Sequence, residues 1–135
     1  MKERLKSSEV RISIREFERV LPEICDAKIS YVPGNWTPDN PLHGTCVPVA
    51  LVAQRFFGGR LLRAELKPFP KYKYMGWHWV NLLPNGKVKD FTKQQFGSDY
   101  PQGMEFVEKP PYSILRHPDV KYRTNLLYRR LLRVI

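Results

Sequence analysis

Cys46, His78 and Asp90 follow one another in the chain in the order that cysteine-nucleophile chemistry uses. A thiolate attacks a carbonyl carbon, an imidazole moves the proton, and a carboxylate orients the imidazole. Cys46 lies in Gly44-Thr45-Cys46-Val47-Pro48-Val49-Ala50, just where a helix should begin. Pro48 lacks an N–H and so suits a first helical turn, where that donor has no partner anyway. At such a position the free backbone N–H groups and the helix dipole favour thiolate over thiol. The N–H of Cys46 itself is a candidate oxyanion donor.

A hairpin must bring His78 and Asp90 together. His78 sits in Gly76-Trp77-His78-Trp79-Val80-Asn81 and Asp90 in Lys87-Val88-Lys89-Asp90-Phe91, on either side of Pro84-Asn85-Gly86. With a two-residue loop, Asn85-Gly86, the two side chains point to opposite faces. With a three-residue loop, Asp90 lies opposite Val80, one diagonal step from His78 and on its face. The residue types favour the second case. Pro84 presets φ for the first central position of a type I turn, and Gly86 supplies the left-handed position that a three-residue loop needs.

Five further residues are candidate substrate contacts: Trp36, His43, Thr45, Trp77 and Asn81. Trp36 belongs to a Pro- and Gly-rich loop, residues 31–45, that runs up to the thiol and is a natural groove wall. His43 and Thr45 adjoin the thiol in sequence and are placed to add a donor. Trp77 flanks His78, and Asn81 braces either the hairpin or the site. Each of these types also has a plain structural use, and Trp36 can simply cover a core. A thiol on an apolar helix is often only a small hydrophobe. A zinc site is disfavoured, since no Cys-x-x-Cys or His-x-x-x-His pair occurs. Cys25 reads as structural and His117, before Pro118, as loop. No Gly-rich phosphate loop is present, and no metal or cofactor is expected.

The composition bounds the rest. With 135 residues, 42% of them hydrophobic, the chain is expected to form one domain with a real core. Two cysteines are too few for a disulfide framework, and no apolar run approaches the roughly 20 residues needed to span a bilayer. The polar Met1–Ser8 stretch does not look like a secretory leader, so a cytoplasmic location is expected, without membrane insertion. The net charge of +10 suits an acidic protein or nucleic acid as a partner.

The elements fall into an α+β order. Ser13 and Glu16 form a capping box for a helix over about 13–25, with Ile12 as staple and Pro22 near its end. An almost wholly apolar helix runs from Cys46 to Phe57 and stops at Gly58-Gly59. Arg60–Leu66, Gly76–Leu83 and Lys87–Phe91 read as strands, with another at Met104–Val107. Thr92-Lys93-Gln94-Gln95 reads as cap and box of a short turn, Phe96 packing inward. A helix over about 119–134 puts Val120, Leu127, Leu131 and Val134 on one face, with Arg123, Arg129, Arg130 and Arg133 around it. Those arginines read as a solvated face. The expected fold is therefore α+β with a small antiparallel sheet.

The stretch Trp36-Thr37-Pro38-Asp39-Asn40-Pro41 … Gly44-Thr45-Cys46 … Ala50-Leu51-Val52 … Phe57-Gly58-Gly59 resembles the YunG-like family of small bacterial proteins. So does His78-Trp79-Val80-Asn81 … Asp90-Phe91-Thr92 … Gln95-Phe96. The resemblance covers residues 36–97, with a weaker echo near the C-terminal helix. It implies a core similar to papain-like and transglutaminase-like folds, a Cys helix packed on a sheet that carries His and Asp. By resemblance Cys46, His78 and Asp90 take those places. Thr45 departs from the Gln of the family pattern, which puts an amide oxyanion donor in doubt. Trp79-Val80 departs from its Tyr-Trp.

Two functions follow as expectations. One is a cysteine hydrolase or acyltransferase working through a thioester at Cys46 on a peptide or protein substrate. An amide or isopeptide bond is favoured there only by analogy. The other is a non-enzymatic basic module that binds an acidic protein or nucleic acid, with Tyr72, Tyr74, Trp77 and nearby lysines supplying stacking and charge.

Overall fold

The computed structural model describes residues 11–135, so the Met1–Ser8 stretch lies outside the described residues. Helix α1 spans Ile14–Ile24 and starts where the cap predicts: the Ser13 hydroxyl accepts from the Glu16 N–H at 3.0 Å. Only half of the capping box forms. The Glu16 carboxylate turns to Arg19 Nη2 at 2.6 Å, a charged donor that outcompetes a backbone N–H. Pro22 lies inside the last turn, two residues before the helix ends.

Helix α2, Cys46–Phe57, begins at the thiol. Gly58 closes it with φ 77° and donates its N–H to the Gln54 carbonyl at 2.8 Å. Gly59 follows at φ 82° and passes so close to strand backbone that a Cβ there would meet the Leu82 oxygen at 2.1 Å. This tight exit aims the chain into strand β1, Arg60–Glu65.

Four antiparallel strands make the sheet: β1, then β2 (Trp77–Leu82), β3 (Val88–Lys89) and β4 (Val107–Lys109), in spatial order β3-β2-β1-β4. Asn81 pairs with Lys89 and Leu82 with Val88, and the Leu83 N–H bonds the Lys87 carbonyl at 2.9 Å. That is the register of the three-residue loop. Two strands differ from the sequence reading. β3 is two residues long, because the chain turns away at Asp90 to bond Thr92. β4 lies three residues later than the hydrophobic pattern suggests. It is an exposed edge strand, so its bounds are set by pairing with β1 (Arg63 to Val107, Leu61 to Lys109) rather than by burial.

Helix α3 is the single turn Tyr112–Leu115, which the sequence reading left unassigned, and α4 runs from Pro118 to Val134. The main core joins α1, α2 and α4 through Phe17, Leu21, Val49, Val52, Leu127 and Leu131. Each such side chain contributes roughly 1.5–3 kcal/mol by leaving water. Phe17 also packs edge-on against Phe57 and Phe91. Val134, expected on the buried face of α4, is exposed.

The arginines of α4 are not all a solvated face. Arg123 is buried and donates to the Ile29 carbonyl at 3.2 Å; Arg130 donates to the Ile24 carbonyl at 2.8 Å and pairs with Asp26 at 3.0 Å. Both tie α4 to the end of α1 and the segment that leaves it. No helix among the described residues is long and apolar enough to cross a membrane.

Gly59→Ala should destabilise the fold by at least about 2 kcal/mol, adding the clash with Leu82 to the left-handed penalty. Gly103→Ala, at φ 82° with nothing within 4 Å, should cost only the penalty, about 1–2 kcal/mol. Urea unfolding of the two variants checks the difference.

Candidate active site

The position of Cys46 follows from the shortness of β3. The Gly76 carbonyl accepts from Leu66 N–H, which fixes residue 76 as facing the β1 side. By strand alternation the Trp77 carbonyl faces the other way. β3 has ended before it reaches that level, and the thiol at the start of α2 approaches that carbonyl. Cys46 Sγ lies 4.0 Å from the Trp77 oxygen. The thiol is 6% exposed. The N–H groups of Cys46 and Val47 are first-turn donors with no intrahelical acceptor, and Pro48 has none to offer.

His78 is fully buried, its ring edge-on to Phe96 with centroids 4.9 Å apart. Nε2 donates to Asp90 Oδ2 at 2.7 Å. Nδ1, the other ring nitrogen, is buried with no hydrogen-bond partner. Burial opposes a charge on the ring, but the bond to Asp90 and the neighbouring Cys46 thiol outweigh it. The imidazole pKa is raised from 6.5 to about 9. Asp90 is held in turn from three directions. Its Oδ1 accepts from Thr92 N–H at 3.2 Å, and Oδ2 accepts from the Tyr100 hydroxyl at 2.7 Å as well as from His78.

Tyr100 is a site residue that sequence reasoning missed. It comes from an irregular segment, and no spacing rule links it to Asp90. Burial, and then the bond to the Asp90 carboxylate, push its phenol well above the ordinary tyrosine range, so it stays a donor.

Gln95 was missed as well. Thr92 and Gln95 do not form the expected backbone box. Thr92 Oγ1 accepts from Gln95 Nε2 at 2.8 Å, while Gln95 Oε1 accepts from Gly44 N–H at 3.1 Å. The Gln95 carbonyl takes a third bond, from Asn40 Nδ2 at 2.9 Å. Buried Gln95 thus ties the turn before Cys46 to the segment that carries Asp90.

The other candidates separate. Trp77 is 42% exposed and walls a groove of about 290 Å³ into which Cys46 opens, with Arg63 stacked 3.7 Å from its ring centroid. Trp36 lies outside that groove and donates to the Pro41 carbonyl at 2.8 Å. His43 is buried and bonds the Tyr74 hydroxyl at 2.8 Å; burial lowers its pKa, so it is neutral. Thr45 is fully buried and spends its hydroxyl on the Leu42 carbonyl at 2.7 Å, so it offers a substrate no donor. Asn81 is buried and donates to the Ala50 carbonyl at 2.9 Å, bracing α2 on β2.

Cys25 is buried, and desolvation pushes its thiol up to about 12. Tyr72 is buried with its hydroxyl on the Asp99 carbonyl at 2.9 Å, which removes it from any stacking surface. Asp90 bonds Nε2 of His78, and no contact between Asp90 and the thiol is formed. No cluster of three or more His, Cys, Asp or Glu among the described residues is placed to hold a metal ion.

Comparison with known proteins adds one family. The family model described as YunG protein matches residues 13–134. A protein of Bacillus subtilis (strain 168) named "Uncharacterized protein YunG" is 38% identical over 61 residues, covering 45% of this chain and 46% of that protein. The aligned stretch is thus about half the length of that relative. No solved structure matches.

Two outcomes follow from the site's electrostatics. The His78 pKa is higher in the fold than the unfolded 6.5, so its pairing with Asp90 stabilises fully below about 6.5 and is lost as pH rises through about 9. The gap in urea midpoint between wild type and Asp90→Asn should therefore be widest at the acid end of that window and narrow above it. Tyr100→Phe removes a donor that competes for Asp90 Oδ2, leaving more of the carboxylate's negative charge to act on the imidazole. NMR titration of the imidazole should show its pKa higher in Tyr100→Phe than in wild type.

Proposed function

The chain belongs to the YunG family, and on that premise we propose that it is a small cysteine hydrolase or acyltransferase acting through a thioester at Cys46. What carries the reading is the division of labour on one buried ring. His78 Nε2 is committed to Asp90, Nδ1 is left without a partner, and Cys46 is near enough to the ring to help raise its pKa. An imidazolium kept charged by a carboxylate is the partner that a thiolate needs. The helix start adds its dipole and the N–H of Cys46.

The core is proposed to follow the papain-like and transglutaminase-like plan. The α2 helix that opens on Cys46, the strand that carries His78 and the Asp90 after the next strand are the features that support it.

The chemistry balances in two steps. Cys46 Sγ bonds to the substrate carbonyl carbon, the carbon–nitrogen bond breaks, and the leaving amine takes the proton from His78. Water, or an acceptor amine, then gives a proton to His78 and attacks the thioester. The sulfur–carbon bond breaks and the thiolate returns. An amide or isopeptide substrate is favoured because protonating a leaving amine is the task for which a charged imidazole is suited.

In a Cys25→Ala background, iodoacetamide at neutral pH should alkylate Cys46 rapidly, and His78→Ala should slow it by at least about tenfold. Asp90→Asn should slow it less, since the imidazole remains. Peptide mapping identifies the modified residue and circular dichroism checks the fold. A rate indifferent to both substitutions overturns the proposal.

A further inference from the structure

We infer that the groove beside Cys46 binds the acyl side of the substrate, and that it selects an apolar side chain, aliphatic or aromatic, next to the carbonyl attacked. The inference rests on the reading of Cys46 as the nucleophile and names what that nucleophile would meet. Four elements supply the walls: Val47 from α2, Trp77 and Trp79 from β2, Ile114 from α3 and Val120 from α4. Cys46 belongs to the same apolar cluster as Trp79, Val120 and Leu61. A substrate carbonyl at the thiol therefore has its neighbouring side chain directed at hydrocarbon and indole.

At the rim the Arg123 guanidinium is already engaged, donating to Asp119 at 3.3 Å and to the Ile29 carbonyl at 3.2 Å, while the Asp119 side chain is 69% exposed and stays in solvent. Placing a lysine or aspartate side chain against the wall of Val47, Trp79, Ile114 and Val120 would cost its hydration, because none of those side chains offers an ionic partner. His117 is exposed at the mouth and can reach only groups that stay in water. The Arg63 stack fixes the indole of Trp77 from outside, which makes it a wall rather than a swinging cover. About 290 Å³ is at the small end of ligand pockets, of roughly 300–1,000 Å³, and suits one side chain with its flanking backbone.

The test uses N-acetyl-aminoacyl chloromethyl ketones that differ only in side chain: glycine, leucine, phenylalanine, lysine and aspartate. Each rate is divided by the iodoacetamide rate of the same protein, in a Cys25→Ala background. The leucine and phenylalanine probes should exceed glycine, lysine and aspartate by at least about tenfold, the scale on which apolar pockets discriminate. Ile114→Asp should abolish that ratio, and Trp77→Ala, at an exposed position, should reduce it.

Fast, His78-dependent iodoacetamide labelling with equal normalised rates would overturn the groove assignment and leave the nucleophile standing. Slow labelling that is indifferent to His78 would overturn both. Preference retained in Ile114→Asp and Trp77→Ala alike would also overturn the assignment.

Discussion

A buried amide holds the two halves of the site at a fixed separation. Gln95 accepts from the backbone of Gly44, two residues before the thiol, and donates to Thr92, two residues after the carboxylate. Neither bond can be traded for water, since Gln95, Gly44 and Thr92 are all buried, and a broken bond there would cost a full desolvation penalty. The Gly44 turn is itself tight. Its φ is 73°, and a Cβ would lie 2.3 Å from the Ser30 hydroxyl. A rigid turn and a buried crosslink together place the start of α2 against the open edge of β2, with the Asp90 loop behind it.

From that placement the electrostatics follow. His78 is out of water entirely, and burial alone would discharge it. It stays basic because the Asp90 carboxylate is fixed by Thr92 and Tyr100 as well as by the ring. The thiol lies at the helix start, where backbone donors and the helix dipole converge, and the second ring nitrogen of His78 has no partner. Cys25 has none of this: it sits in the helical core, and its thiol is pushed up to about 12. The two cysteines thus sit in different surroundings, one inside the helical core and one at a helix start on the wall of a groove.

How much was legible in the sequence depends on how local each cause is. Pro84 and Gly86 define the hairpin loop, and the loop defines the register, so the meeting of His78 with Asp90 could be read from a dozen residues. Pro48 likewise marks the start of α2. Tyr100 and Gln95 were illegible because their partners are fixed only by tertiary packing. Thr45 and His43 were read as donors from their closeness in sequence, yet a turn folds one hydroxyl onto Leu42 and directs the other ring to Tyr74. The groove was illegible for the same reason, since α3 and α4 join the chain's far end to its middle. The arginines of α4 misled because helical spacing cannot distinguish a solvated charge from one that reaches a buried carbonyl, as Arg123 does.

The proposed function requires that Cys46 and His78 form a thiolate–imidazolium pair in the resting protein. Ultraviolet difference absorbance of the thiolate, recorded at neutral pH in a Cys25→Ala background, reads that state without any substrate. Such a pair gives a thiolate band at neutral pH that disappears in Cys46→Ala and is largely lost in His78→Ala. A protein without the band at neutral pH, or with a band that survives the loss of His78, would contradict it.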